Sequence, residues 1–165
     1  MGLNHVSTPS ERPLLEAVCF DLRGVLLDHK TDKEFLPGME ELLKELRDKG
    51  LKLAVVSRFP CESVIDRLGS MQQYFGDNIY SGGGQGKLDC IREFAEKCGI
   101  SDLAKIAFVD DKPDNILPVA QRSDIYTIGF RGSGKYPSAR QICKDRGLPF
   151  AESVEDLENL LLALL

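Results

Sequence analysis

Short apolar runs alternate along the chain with stretches of helical periodicity, and this alternation predicts strands that alternate with helices. The predicted strands are an apolar run that begins at Ala17 and the segments 51–56, 79–80, 105–110, 125–130 and 148–151. The predicted helices are 39–49, a helix that begins near Pro60, 88–98, 113–120, 138–146 and 153–164. This order is typical of a three-layer, doubly wound α/β fold with a mostly parallel sheet.

The length of 165 residues is enough to bury a hydrophobic core without disulfides or metals. We predict a single domain over residues 13–165, preceded by a loose polar tail at 1–12. Within the domain, the helix that begins near Pro60 is expected to bury Val64, Ile65 and Leu68, which follow helical spacing.

Polar side chains stand where three of the apolar runs end. The first run ends at Asp21, the second at Ser57, and a later one at the pair Asp110 and Asp111. Because the carboxyl ends of neighbouring parallel strands meet at one edge of an open α/β sheet, we expect these side chains to form one polar cluster. Lys87 opens a helical stretch between these strands and is expected to join the cluster.

Each of these residues also has a purely structural interpretation. Asp21, taken alone, is better explained as a strand-end residue that caps a turn, and Ser57 as the N-cap of the next helix. Repulsion between Asp110 and Asp111 would be costly without a cation such as Mg²⁺, which takes oxygen ligands. The same segment nevertheless has the composition of an exposed turn, and Lys87 could be a solvated lysine at a helix start.

The order and spacing of these residues resemble the haloacid dehalogenase-like hydrolases along nearly the whole chain. That family has four motifs: a strand that ends in Asp-x-Asp, a strand that ends in Ser or Thr, a Lys, and a strand that ends in acidic residues. The Ser57-Arg58 pair and the pattern Asp110-Asp111-x-x-x-Asn115 are most similar to the cap-less, magnesium-dependent phosphatase branch.

Many members of the family carry a cap domain over the active site. The intervals 28–34 and 58–86, where such a cap would be inserted, are too short for a large one. The resemblance therefore implies an open site, which in such enzymes goes with large or macromolecular phosphorylated substrates, or with low specificity.

The resemblance also implies roles for the clustered residues. Asp21 would be the nucleophile that forms an aspartyl-phosphate. Ser57 would bind a phosphoryl oxygen, Lys87 would neutralise charge on the nucleophile and the phosphoryl group, and Arg58 would contact phosphate or substrate. Asn115 would orient the acidic pair or hold its loop.

The implied cofactor is Mg²⁺. By resemblance its ligands would be the Asp21 carboxylate, the backbone carbonyl of Arg23 and the Asp111 carboxylate, with Asp110 bound directly or through water. The carbonyl ligand is kept whatever side chain the residue carries, but the positive charge of Arg23 could compete with Mg²⁺ for the same carboxylates.

Arg23 departs from the family pattern, because the family has its general acid/base Asp at this position. A guanidinium stays protonated at working pH and cannot act as a base. Three hypotheses follow: a phosphatase with weakened or altered activity, an inactive phosphate-binding or interaction module, and a dehalogenase or phosphonate hydrolase. Arg23 itself could pair with Asp21, hold a bound phosphate, or point outward without a role.

Two glycine-rich segments partly match the sequence pattern of a P-loop. The segment 81–88 lacks the leading Gly and the trailing Ser or Thr, and in 129–136 Tyr136 stands where the Mg²⁺-binding hydroxyl belongs. We therefore disfavour an NTPase and interpret 129–136 as a mobile, basic-tipped loop that borders the open site, with Arg131 or Lys135 as candidate substrate contacts. We interpret His29, in a polar loop, as an exposed bystander rather than a catalyst.

Composition narrows the choice of partners. A net charge of -5 argues against nucleic acid or an anionic membrane surface as partner, and no apolar run is long enough to span a bilayer. The five cysteines are scattered without a C-x-x-C pair, which predicts reduced thiols and a cytoplasmic setting. The oligomeric state stays open.

Overall fold

The structure is a computed structural model, and it describes residues 12–82 and 86–165. Most of the predicted tail at 1–12 lies outside the described residues, as do residues 83–85 of the first glycine-rich segment. Arg12, the first residue described, stacks its guanidinium over the Tyr126 ring at 4.7 Å and donates to the Asp124 carbonyl oxygen at 2.8 Å.

Six parallel strands form one sheet in the order β3-β2-β1-β4-β5-β6. The strands are β1 (Ala17–Phe20), β2 (Lys52–Ser57), β3 (Ile79–Ser81), β4 (Ile106–Asp110), β5 (Tyr126–Phe130) and β6 (Phe150–Ala151). The helices are α1 (Met39–Asp48), α2 (Cys61–Leu68), α3 (Lys87–Cys98), α4 (Pro113–Arg122), α5 (Ala139–Asp145) and α6 (Val154–Leu162). The three-layer α/β fold expected from the alternating pattern is confirmed.

The hydrophobic core lies in two layers, one on each face of the sheet. Successive residues of β1 alternate between them, because side chains along a strand point to opposite faces. Val18 and Phe20 belong to the layer that includes α1, α2 and α6, whereas Ala17 and Cys19 belong to the layer that includes α3. All four are fully buried, and burying an aromatic or aliphatic side chain contributes about 1.5–3 kcal/mol.

One packing prediction is wrong at Ile65. Helix α2 buries Val64 and Leu68 as expected, but Ile65 is 40% exposed. Consecutive residues of a helix lie about 100° apart, and the short α2 presents only a narrow stripe to the core. The spacing of apolar residues alone did not show whether this narrow buried stripe would include Ile65.

The sheet order places β1 between β2 and β4, and this position creates the site. Phe20 is paired with Val55 of β2 and with Val109 of β4, so the three strands end at the same level. The connections at 21–38 and 58–78 contain no separate cap domain, in agreement with the short intervals in the sequence. Among the described residues, no helix is both long and apolar enough to cross a membrane.

Candidate active site

Three carboxylates converge at the carboxyl edge of the two central strands. Asp21 follows β1 and donates its backbone N–H to the Val109 carbonyl oxygen at 3.0 Å, which ties it to the end of β4. Asp110 ends β4 and Asp111 follows it. One oxygen from each of the three carboxylates lies within 4.8 Å of the other two. The cluster expected from the strand ends is therefore present.

Lys87, the first residue of α3, brings a buried positive charge to this cluster. Its Nζ donates to Asp21 Oδ1 at 2.5 Å and to the Val56 carbonyl oxygen at 2.7 Å, and it lies 3.6 Å from Asp110 Oδ2. Burial alone would lower the pKa of Lys87, but the carboxylates of Asp21 and Asp110 outweigh burial and raise it. Lys87 therefore stays charged and serves as counter-ion to the carboxylates.

One lysine does not neutralise the charge of three carboxylates. Burial, together with the charge of Asp21, raises the pKa of Asp110 well above its usual range, and burial with the charges of Asp110 and Asp21 does the same for Asp111. Asp110 Oδ2 and Asp111 Oδ2 are buried and have no hydrogen-bond partner in the described residues. Two buried carboxyl oxygens without a hydrogen bond, beside a third carboxylate, fit a hard divalent cation, which takes oxygen ligands. The residues present could hold a metal ion.

Gly24 allows the turn after β1 to approach this cluster. Its φ of +90° is in the region that favours glycine, and a Cβ built there would collide with Asp111 Oδ2. The Gly24 carbonyl oxygen accepts from the Ser133 backbone N–H at 3.2 Å. Position 24 therefore requires glycine both for its backbone conformation and for the space that Asp111 occupies.

Ser57, Arg58 and Asn115 line one cavity with Asp21, Lys87 and Asp111, and its volume is about 140 Å³. Ser57 is buried, and its Oγ accepts from the Phe59 backbone N–H at 3.1 Å, so it caps the turn before α2. The exposed Arg58 donates to Asn115 Oδ1 at 3.2 Å, which joins the end of β2 to the start of α4. The hydroxyl hydrogen of Ser57 is left for another acceptor.

The Arg23 side chain contacts the loop that follows β1 and not the Asp21 carboxylate. Its Nε and one terminal nitrogen donate to the His29 carbonyl oxygen at 3.3 and 3.1 Å, and Nε lies 3.8 Å from Asp32 Oδ1. The side chain is 44% exposed. Among the described residues Arg23 forms no ion pair with Asp21, although it lines the same cavity. Pairing of Arg23 with Asp21, one of the placements considered from the sequence, is therefore absent from the structure.

His29 is not the exposed bystander that its polar neighbours suggested. The residue is half-buried and lines the cavity together with Asp21 and Arg23. Its Nδ1 lies 2.5 Å from Ser133 Oγ, which also accepts from the His29 backbone N–H at 3.3 Å. The residues lie 104 positions apart, so no local pattern could have shown that contact.

The second glycine-rich loop reaches the site. Lys135 and Tyr136 line the cavity, as expected of a loop that borders it, whereas Arg131 does not. Gly132 allows this approach, because a Cβ there, at φ +55°, would collide with the Gly24 carbonyl oxygen.

Comparisons with known proteins agree with this architecture. A family model described as haloacid dehalogenase-like hydrolase matches residues 31–123, which is more than half of the chain. No curated protein matches the chain in sequence.

Solved structures resemble the chain over most of its length. A candidate phosphatase from Clostridium difficile is 18% identical, with a TM-score of 0.75 over 91% of this chain and 100% of that one. A predicted phosphatase from Clostridium acetobutylicum is 21% identical, with a TM-score of 0.72 over 92% and 100%. A haloacid dehalogenase-like family hydrolase from Streptococcus pneumoniae is 14% identical, with a TM-score of 0.71 over 90% and 98%. At these identities the likeness establishes the fold.

Proposed function

The chain belongs to the haloacid dehalogenase-like hydrolases, and from that premise we propose that it is a Mg²⁺-dependent phosphatase-type enzyme with Asp21 as nucleophile. The observation that carries the proposal is the convergence of Asp21, Lys87 and the buried pair Asp110 and Asp111 at one strand edge. Such a cluster suits a phosphorylated substrate, because a phosphoryl group needs an attacking oxygen and nearby positive charge.

The proposed first step is attack of an Asp21 carboxylate oxygen on phosphorus. A new bond joins that oxygen to phosphorus, the bond from phosphorus to the substrate oxygen breaks, and the departing oxygen keeps the electron pair. Water then attacks the phosphorus of the aspartyl-phosphate, which releases inorganic phosphate and restores the carboxylate. The attacking geometry is supported by Lys87, whose contact at 2.5 Å holds Asp21 Oδ1 in a fixed position.

The proposed Mg²⁺ ligands are the carboxylates of Asp21, Asp110 and Asp111 and the Arg23 backbone carbonyl. When bound, Mg²⁺ would supply positive charge to the phosphoryl oxygens. The two unpartnered buried oxygens of Asp110 and Asp111 support this assignment.

The remaining residues of the cavity would bind the phosphoryl group and its substrate. Ser57 would donate its hydroxyl hydrogen to a phosphoryl oxygen, since its Oγ already accepts from the backbone. Arg58 would contact phosphate or substrate, and Asn115 would hold it in place through their 3.2 Å hydrogen bond.

Arg23 would limit the rate. No carboxyl group stands at this position to protonate the departing oxygen, and general acid/base assistance is worth about 10²–10⁴-fold. The contacts of Arg23 with the His29 carbonyl oxygen and Asp32 support an active but weakened enzyme, because a guanidinium held there does not pair with Asp21 in competition with Mg²⁺.

The test is hydrolysis of 4-nitrophenyl phosphate, whose leaving group needs little protonation, measured with and without Mg²⁺. We expect slow turnover by the native chain, none by Asp21→Asn, and a gain of at least about 10-fold for Arg23→Asp on esters with poorer leaving groups. Turnover that survives Asp21→Asn would contradict the assignment of the nucleophile.

An inactive phosphate-binding module is the second candidate function, and the absence of a carboxyl group at position 23 is the observation in its favour. It predicts no turnover by the native chain but measurable binding of inorganic phosphate in calorimetry. Turnover that appears only in Arg23→Asp would favour this second candidate. Release of halide, or cleavage of a carbon–phosphorus bond, would instead indicate the dehalogenase or phosphonate hydrolase alternative.

A further inference from the structure

A second cavity lies beside the candidate active site, between helices α3 and α4. Its volume is about 320 Å³. Arg58, Lys87 and Asn115 line both this cavity and the one that contains Asp21. The two spaces therefore adjoin at these residues, and a molecule whose phosphate reaches Asp21 could extend past Arg58 and Asn115 into the second. We call this second space the α3–α4 groove.

Three arginines give the α3–α4 groove a positive charge that the surrounding residues do not neutralise. Arg58, Arg92 and Arg122 are exposed and line it, against two carboxylates, those of Asp89 and Asp114. Within the part of the chain that the structure describes, none of the three guanidinium groups lies in an ion pair. The chain as a whole carries a net charge of -5, so this local excess of positive charge opposes the general trend.

The hydrogen bonds of these arginines go to neutral acceptors. Arg58 donates to Asn115 Oδ1 at 3.2 Å, and Arg92 donates to the Arg122 backbone carbonyl oxygen at a long 3.5 Å. Guanidinium groups bind carboxylates and phosphates more strongly than they bind neutral oxygens, often through two parallel hydrogen bonds. An anionic ligand would therefore compete well for them.

The groove also has apolar surface between its charges. Leu88, Pro118 and Val119 line it and are half-buried or buried. On α4, Asp114, Pro118 and Arg122 follow one another at intervals of four residues, so they share one face of the helix. An apolar surface flanked by arginines suits a ligand with a carbon body and an anionic end.

We propose that the α3–α4 groove binds the part of the substrate beyond the scissile phosphate, and that this part is a carbon body with a second anionic group. The inference rests on the proposed phosphatase function and adds a substrate class to it: phosphate monoesters that carry a further carboxylate or phosphate. Arg58 lies where the two cavities meet, so it would contact the substrate between its two anionic ends.

The test compares two matched esters, 3-(4-phosphonooxyphenyl)propanoate and its propanamide. The pair differs in the charge at the far end, while the methylene arm keeps the leaving group nearly the same. Esters with shorter and longer arms locate the reach of the groove. We expect kcat/KM to be about 10- to 100-fold higher for the best carboxylate than for its amide, as charge-assisted hydrogen bonds to arginine imply. This ratio should fall as salt is added, because the arginines are exposed to solvent.

Variants of the groove arginines test whether the preference for the carboxylate ester arises in the groove. Arg92→Gln and Arg122→Gln should each lower the carboxylate-to-amide ratio several-fold, and Arg92→Lys should restore part of it. Lys97→Gln is the matched control, because it removes one positive charge from the same helix α3 at an exposed position outside the groove. Lys97→Gln should leave the ratio unchanged.

The outcomes separate this inference from the proposed function. Equal kcat/KM for the two esters, unaffected by Arg92→Gln, would contradict the proposal that the groove binds the second anionic group. The proposed phosphatase function would remain supported. If neither ester is turned over, the affinities of the same two esters are measured by calorimetry. Tighter binding of the carboxylate than of the amide, with the difference lost in Arg92→Gln, would support ligand binding in the groove even though the chain does not catalyse the reaction. Equal binding of the two esters, or none, overturns the groove.

Discussion

The candidate active site has two sides that are built differently. The strand-end side consists of Asp21, Lys87, Asp110 and Asp111, and its charged groups are almost entirely enclosed by protein. The loop side consists of Arg23, His29 and Ser133, and the Arg23 side chain is 44% exposed. Charges interact more strongly where water is excluded, so the same kind of ion pair has different consequences on the two sides.

This difference indicates which positions of the site tolerate substitution. On the strand-end side the charges act on one another at short distance, since that of Asp21 contributes to the raised pKa values of Lys87, Asp110 and Asp111. On the loop side Arg23 contacts a backbone carbonyl oxygen and lies 3.8 Å from Asp32, close to water. We therefore expect large effects of substitution at the strand ends and small ones at the loop.

The largest expected effect is that of Lys87→Met. It leaves the half-buried Asp21 and the buried Asp110 without their counter-ion, and breaking a buried ion pair costs about 3–5 kcal/mol. The measurement is urea unfolding at pH 8 without divalent cations. Lys97→Met, an exposed position on the same helix, is the control and should change stability by less than about 0.5 kcal/mol. A loss below about 1 kcal/mol for Lys87→Met would show that the strand-end charges are not coupled.

Gly24→Ala tests how tightly the turn approaches the strand-end side. Gly50 has nearly the same φ, +88° against +90°, but a Cβ there would meet nothing within 4 Å. Both alanine variants should lose stability through backbone strain, by about 1–3 kcal/mol. Gly24→Ala should lose about 1–3 kcal/mol more, because its Cβ collides with the buried Asp111 carboxylate.

The two variants are compared by urea unfolding and by Mg²⁺ titration in a calorimeter. We expect Gly24→Ala to weaken Mg²⁺ binding by at least about 10-fold, as a displaced carboxylate ligand would, and Gly50→Ala to bind as the native chain does. Equal stability and equal Mg²⁺ affinity in both variants would mean that Asp111 moves aside without cost and is not a fixed ligand.

The sequence predicts the strand-end side of the site better than the loop side. Apolar runs locate the strand ends, and parallel order brings those ends to one edge, so the meeting of Asp21 with Asp110 and Asp111 follows from local pattern and topology. The position of Lys87 follows from the same pattern, because this residue opens α3, the helix between β3 and β4. These placements depend on buried backbone, which the hydrophobic pattern specifies.

The loop side could not be predicted in this way. The direction of Arg23 depends on the His29 carbonyl, and the position of His29 depends on Ser133, 104 residues away. No apolar periodicity fixes such contacts, since they are made by polar groups in connections between elements. The α3–α4 groove is a further case: Arg58, Arg92 and Arg122 come from three different elements or their ends, and each taken singly resembles an exposed arginine.

Asp111→Asn should stabilise the chain when no divalent cation is present. Burial and the charges of Asp110 and Asp21 raise the pKa of Asp111 in the folded state. A carboxyl whose folded pKa exceeds its unfolded pKa destabilises the fold as it ionises, so stability is lost as the pH rises from the unfolded pKa toward the folded one. At pH 8 the amide should raise the free energy of unfolding by at least about 1 kcal/mol, because a single unit of pKa shift already corresponds to about 1.4 kcal/mol.

Thermal unfolding in a chelator measures this effect, and the advantage of Asp111→Asn should shrink as the pH falls from about 8 to about 5. Added Mg²⁺ should reverse the order, since it would stabilise the native chain and not the variant. If Asp111→Asn were less stable at pH 8 in chelator, the negative charge would be satisfied by the protein itself, and the argument for a cation at this edge would lose its main support.

The smallest expected effect is that of Arg23→Ala, and Arg67 provides its matched comparison. Both arginines approach Asp32, but Arg67 does so at 2.9 Å, is 24% exposed and stacks over the Phe59 ring at 4.3 Å. Exposed ion pairs contribute about 0.2–1 kcal/mol, so Arg23→Ala should cost less than about 1 kcal/mol in urea unfolding. Arg67→Ala should cost more, about 1–2 kcal/mol, because it also loses the cation–π contact. If Arg23→Ala cost as much as Lys87→Met, the loop would be as tightly coupled as the strand ends, and Arg23 would be a structural element of the site rather than a substitution that the fold tolerates.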